Sequence, residues 1–124
     1  MKSVNLLVIL NIGKTNPTVV NALFKVVISD TEYEIYSIRE YLVYLKENIK
    51  RLEEINKYIN KKNNSTKQSK IEYYDSYINM LLEKGETEKN VNYILEEYKL
   101  AIIQKKKDID KLINEIKEIK KLRV

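Results

Sequence analysis

The residues in this chain that could do chemistry are mainly basic and phenolic. The sequence carries 10 tyrosines, 23 lysines and arginines against 18 acids, and neither histidine nor cysteine. That inventory removes the imidazole base, the thiolate nucleophile and the usual zinc ligand sets, and it removes disulfides. The carboxylates do not replace them. Glu53-Glu54 and Glu96-Glu97 are sequence neighbours, so at most one of each pair can face inward on a helix. Asp108 and Asp110 lack the oxygen-rich loop that calcium needs. We expect no catalytic residue, no metal and no cofactor, and therefore a protein that is not an enzyme. Gly13-Lys14-Thr15 follows an apolar run, as the end of a phosphate-binding loop does. The full pattern needs a glycine five residues earlier, where Val8 stands, so the tripeptide reads as a turn.

Binding is better supplied. Tyr73, Tyr74 and Tyr77 cluster within five positions, and tyrosine offers a large rigid surface with a polar tip. Lys61 and Lys62, with Lys67 and Lys70 close by, form one basic group, and Lys105, Lys106 and Lys107 form another. Together with the tyrosines they are candidates for a partner-binding patch, able to meet phosphates and stacked bases. The net charge of +5 is mild because Glu is interleaved with Lys along most of the chain, as on exposed helical faces.

The elements that would position these residues fall into two regions. In residues 1–36, Val4 to Leu10 is short, apolar and branched, and reads as a strand. Residues 18–25 suit either a strand or a helix opened by Asn16-Pro17. Phe24 to Ser29 is read as a strand, with Tyr33 to Tyr36 as its hairpin partner. A leader peptide at Met1 to Ile12 is not expected, because no small-residue cleavage site follows, and the run is too short to span a bilayer.

Residues 37–124 read as helices. Ser37-Ile38-Arg39-Glu40 has the form of a capping box opening a first helix to about Lys62. Its apolar positions Ile38, Leu42, Leu45, Ile49, Leu52 and Ile59 follow heptad spacing, with Asn56 in the remaining slot as a candidate register-setting residue. Lys61 to Gln68 is a polar loop. Ser69-Lys70-Ile71-Glu72 looks like a second capping box, opening a short helix that Gly85 either stops or interrupts. Thr87 can cap a last helix from about Glu88 to Leu122.

If the short helix folds back and the chain turns again at Gly85, the last helix runs parallel to the first, and the two lysine groups fall near the same end. The last helix then overhangs from Lys105 onward. Ile109, Leu112, Ile116 and Ile119 would form an uncovered seam whose burial is worth about 6 kcal/mol, and a second copy of the chain would cover it. The resulting expectation is an α+β chain: a small N-terminal antiparallel β element, then a helical hairpin or three-helix unit with a C-terminal coiled-coil extension. Its expected role is that of a cytoplasmic, self-associating interaction protein that binds another macromolecule. Its size and plain composition are those of inhibitors and adaptors from phages or mobile elements, by analogy alone. The alternatives are a nucleic-acid-binding oligomer using the lysine groups, and a small-ligand, nucleotide-like binder with a tyrosine-lined pocket at the subunit interface.

Overall fold

A computed structural model describes residues 17–122. The expected strand at residues 4–10, the leader-peptide question and the Gly13-Lys14-Thr15 turn lie outside the described residues. Within them the chain forms three helices: α1 (Pro17–Asn63), α2 (Gln68–Leu81) and α3 (Val91–Lys121). No strand occurs among the described residues, which corrects the α+β expectation: Phe24 to Ser29 and Tyr33 to Tyr36 are turns of α1.

The reason is periodicity. Val20, Phe24, Val27, Ile28, Thr31 and Ile35 are all buried, with gaps of four, three, one, three and four that place them on one face of a helix and not on one face of a strand. β-branched residues lower helix propensity by only a few tenths of a kcal/mol each, which burial of one such side chain outweighs. Thr31, the one polar member, donates its hydroxyl to the Val27 carbonyl at 2.7 Å, so no buried donor is left open. Pro17 stands at the first helical position, where its missing N–H costs nothing. Ser37 consequently lies in mid-helix, and Glu40, freed from capping, accepts the Tyr36 hydroxyl and raises its pKa.

The chain groups into two compact units, to both of which α1 and α3 contribute: residues 17–41 with 104–122, and Leu42–Ile103. In the first unit, Val20, Phe24, Val27 and Ile28 of α1 form a cluster with Ile119 of α3, and Leu23 and Ile116 pack against it. At the other end of this unit Lys105 lies over the Tyr41 ring. Start meets end, so the two segments run antiparallel.

In the second unit Leu52 and Ile55 of α1, Ile78 of α2, and Val91 and Leu95 of α3 form the core. Asn56 donates its side-chain amide to Asn92 at 2.6 Å, while Lys99 approaches Glu53 at 3.8 Å. Here too α3 runs antiparallel to α1, which corrects the parallel arrangement expected from a fold-back at Gly85. Residues 82–90 make the difference, since they carry the chain back along α1 before α3 begins. Arg51 grips this connector through Glu86 and Lys62 through Glu88. Gly85, at φ +86°, supplies its left-handed turn. Thr87 and Asn90 cap α3 reciprocally: the Asn90 side-chain oxygen Oδ1 accepts from the Thr87 N–H at 2.8 Å, and the Thr87 hydroxyl oxygen accepts from the Asn90 N–H at 3.2 Å.

With α3 antiparallel the expected overhang does not arise. Ile109, Leu112 and Ile119 are buried and Ile116 packs against the first unit's cluster, all within one chain. Ile119 and Ile116 of the seam assigned to a second copy lie against Val20, Phe24, Val27 and Ile28 of α1, a stretch read in part as a strand.

Candidate binding surface

The polar link between α1 and α2 brings a group of aromatic rings together. Asn64 donates its N–H to the Asn60 carbonyl and Ser65 to that of Lys62, closing the end of α1. The box expected at Ser69 does not form. α2 opens at Gln68 after an extended Lys67 with no side-chain cap, and Glu72 accepts instead from Gln68 at 3.4 Å. The first turn of α2 is closed by the Lys67 carbonyl, which accepts from the N–H groups of Lys70 and Ile71 at 3.1 Å each. Ile78 is fully buried against Leu52 and Ile55, and Tyr74, one turn earlier on the same face of α2, meets Tyr58 further along α1.

Tyr58 of α1 is the centre of the surface. Its ring centroid lies 4.2 Å from that of Tyr77 and 5.8 Å from that of Tyr74. Tyr73 meets Tyr74 edge-on at 5.6 Å, with its own ring 60% exposed. The Lys61 ammonium sits 5.0 Å above the Tyr58 ring and that of Lys57 at 5.8 Å, within range of a cation–π attraction. Burial among these rings, more than the nearby charge of Glu54, raises the Tyr77 pKa. Beside the rings an open cavity of about 350 Å³ is lined by Asn60, Lys61, Asn64, Ser65, Lys70 and Tyr74. Its lining offers ammonium, carboxamide and hydroxyl groups and no carboxylate.

The candidate residues divide sharply. Tyr73, Tyr74, Tyr77 and Lys61 are brought together. Among the described residues, Lys57, Lys61, Lys67 and Lys70 form no ion pair with a carboxylate. Lys62 is different: it is bound to Asp75 at 2.9 Å and to Glu88, and the Glu88 bond, ahead of the Asp75 bond, raises its pKa. It is a structural strut. Lys105, Lys106 and Lys107 belong to the other unit, where Lys105 pairs with Asp108 at 3.8 Å and lies over Tyr41 at 5.9 Å. The parallel fold-back on which the joining of the two lysine groups rested is not the arrangement observed.

Two features escaped the sequence reading. Tyr58 was passed over because it belongs to no tyrosine run. Its spacing of three from Lys61 on a helix was the available signal. Arg51 was also missed. It donates to both carboxylate oxygens of Glu86 at 2.6 and 2.7 Å, and to the Leu81 carbonyl and the Asn48 side chain at 3.0 Å each. Its hydrogen bond lowers the Glu86 pKa, and the same bond raises its own. An arginine in a lysine-rich chain was the hint, because only its planar fork makes this two-bond contact.

Among the described residues no group of acids, histidines or cysteines could hold a metal ion, and no helix is long and apolar enough to cross a membrane. Comparison with models of protein families, with curated proteins and with solved structures returns no match.

Proposed function

We propose that this chain is a non-enzymatic binding protein of the cytoplasm that engages another macromolecule through the tyrosine–lysine surface at the α1–α2 turn. The observation that carries this reading is the set of lysines there without carboxylate partners, two of them held over the Tyr58 ring. Other exposed lysines, such as Lys25 and Lys46, also form no ion pair among the described residues, whereas Arg51, Lys62, Lys99, Lys105 and Lys121 do. What distinguishes this surface is two ammonium groups over one ring beside a carboxylate-free cavity. A lysine held over a ring keeps its charge in a defined place, and the neighbouring rings provide apolar area, so an acidic partner gains contact without first ordering the surface. The shifted groups also fit binding better than catalysis: Arg51 and Lys62 move up, Glu86 moves down, and all three hold their ordinary charge at neutral pH.

The partner fitted best is a protein with an acidic segment. Capture from the host with a photo-reactive group at Tyr73 tests this. A K61E/K70E chain should lose the captured protein while keeping its helical content. Retention of the same partner by K61E/K70E would remove the proposal. The exposed face of Tyr73 and the carboxylate-free cavity favour single-stranded nucleic acid as a second reading. It requires a mobility shift at low salt that weakens steeply as salt rises.

A further inference from the structure

We propose that α1 pairs with α1 of a second copy of this chain, antiparallel, through the face it turns away from its own core. The interface differs from the seam of Ile109 to Ile119, and the proposal does not rest on the tyrosine–lysine surface. Val19, Ala22, Val26, Ser29, Tyr33 and Tyr36 are spaced three, four, three, four, three, and all six are exposed. The four large ones show 41, 55, 72 and 59% of their surface. At about 100° per residue this row is centred roughly opposite the buried row of Val20, Phe24, Val27, Thr31 and Ile35. A solvated helix face has no reason to repeat every 3.5 residues in apolar and aromatic side chains, whereas a helix–helix seam does.

Side-chain size and charge choose the occupant and its direction. An antiparallel second copy centred between Val27 and Ile28 puts Val19 opposite Tyr36, Ala22 opposite Tyr33 and Val26 opposite Ser29. Each small residue faces a larger one, so the layers interdigitate. The flanking positions then set Lys25 against Glu32 of the other copy, twice by symmetry. Both residues are exposed, and neither has an ion-pair partner among the described residues. The other arrangements fit worse. A parallel pair in register sets Tyr33 on Tyr33, Ala22 on Ala22 and, one step further along the row, Glu40 on Glu40. Moving the antiparallel centre to Thr31 sets Asp30 on Asp30, Glu32 on Glu32 and Lys25 on Arg39. The favoured arrangement is self-complementary, as a two-fold interface must be.

Sedimentation of the full chain at tens of micromolar should give twice 14.8 kDa. K25E and E32K should each weaken association about tenfold, as two facing charge pairs turn repulsive. The double swap K25E/E32K should restore it to within about threefold of the parent. The chain has no cysteine, so V26C chains mixed with S29C chains of different length report direction. Mixed disulfides should predominate over either homodisulfide. Circular dichroism of each variant shows that α1 is still folded. A monomer throughout this concentration range overturns the proposal, including one in which the chain's own residues 1–16 cover the row. So does failure of the double swap to restore association, or a predominance of homodisulfides.

Discussion

Replacing Arg51 by Met tests what directs the course of α3. Arg51 is 19% exposed and Glu86 only 8%. The guanidinium makes two bonds to that carboxylate, one to the Leu81 carbonyl and one to Asn48, and Glu83 adds a contact at 3.4 Å. Methionine keeps most of the aliphatic stem and removes all of these. Glu86 would then be a nearly buried carboxylate with one remaining partner, the Glu83 backbone N–H at 2.9 Å. Breaking a fully buried pair costs about 3–5 kcal/mol. Arg51 keeps a fifth of its surface in water, so solvent relieves part of this and the expected loss is about 2–3 kcal/mol. With a urea slope of about 1 kcal/mol/M the unfolding midpoint should fall by about 2 M or more. R51M/E86M, which leaves neither partner stranded, should recover at least half of the loss. The pH dependence has a fixed sign. The Arg51 bond lowers the Glu86 pKa from about 4.5, so this contribution is present above that value and is lost as pH falls through the lower folded value. Parent and R51M should therefore converge in stability on acidification. A loss under 0.5 kcal/mol for R51M at neutral pH, or a difference from the parent that persists to low pH, would refute the argument that this clamp holds the connector.

Three further outcomes follow from particular residues. Ile119, 2% exposed among Val20, Phe24, Val27 and Ile28, should cost about 2–5 kcal/mol when cut to Ala, read as a shifted chemical-denaturation curve at unchanged sedimentation mass. Gly85→Ala meets no atom within 4 Å, so its cost is that of the left-handed backbone alone, about 1–2 kcal/mol; thermal melts that match the parent would count against it. The Glu88 and Asp75 bonds raise the Lys62 pKa above 10.5, so what they contribute is present below that value and fades as pH climbs through the higher folded value. Comparing K62M with the parent across alkaline pH reads it directly.

The helices after residue 37 were legible because burial imposes a period: Leu42, Leu45, Leu52, Ile55, Ile78, Val91, Leu95, Ile109, Leu112 and Ile119 are all buried on helices. The same period ran through Val20, Phe24, Val27, Ile28, Thr31 and Ile35, and the preference of Val and Ile for strands hid it. A polar Thr in the row and the capping-box form of Ser37 to Glu40 strengthened the wrong reading. Asn56 was singled out as a register-setting residue between parallel helices, but it pairs with an antiparallel helix of its own chain. Its partner, Asn92, is 36 positions along the same chain, and spacing alone cannot tell a partner in the chain from one in a second copy. The candidate surface was half legible for a similar reason. Three tyrosines and Lys61 were found by clustering, whereas Tyr58 and Lys57 join them only because α2 folds back onto the end of α1.

Direction is what periodicity cannot supply, and here it governs how the surface is interpreted. A heptad row is unchanged when a helix is reversed, so the rows of α1 and α3 fit a parallel or an antiparallel pair equally well. The deciding information sits in residues 82–90, where Glu86 and Glu88 have charges that find Arg51 and Lys62 on α1. These acids serve twice. They anchor the connector that reverses α3, and they consume the charge of Arg51 and Lys62, leaving Lys57, Lys61, Lys67 and Lys70 as the lysines near the turn without a carboxylate. The same contacts thus set the course of the connector into α3 and leave uncompensated positive charge beside Tyr58.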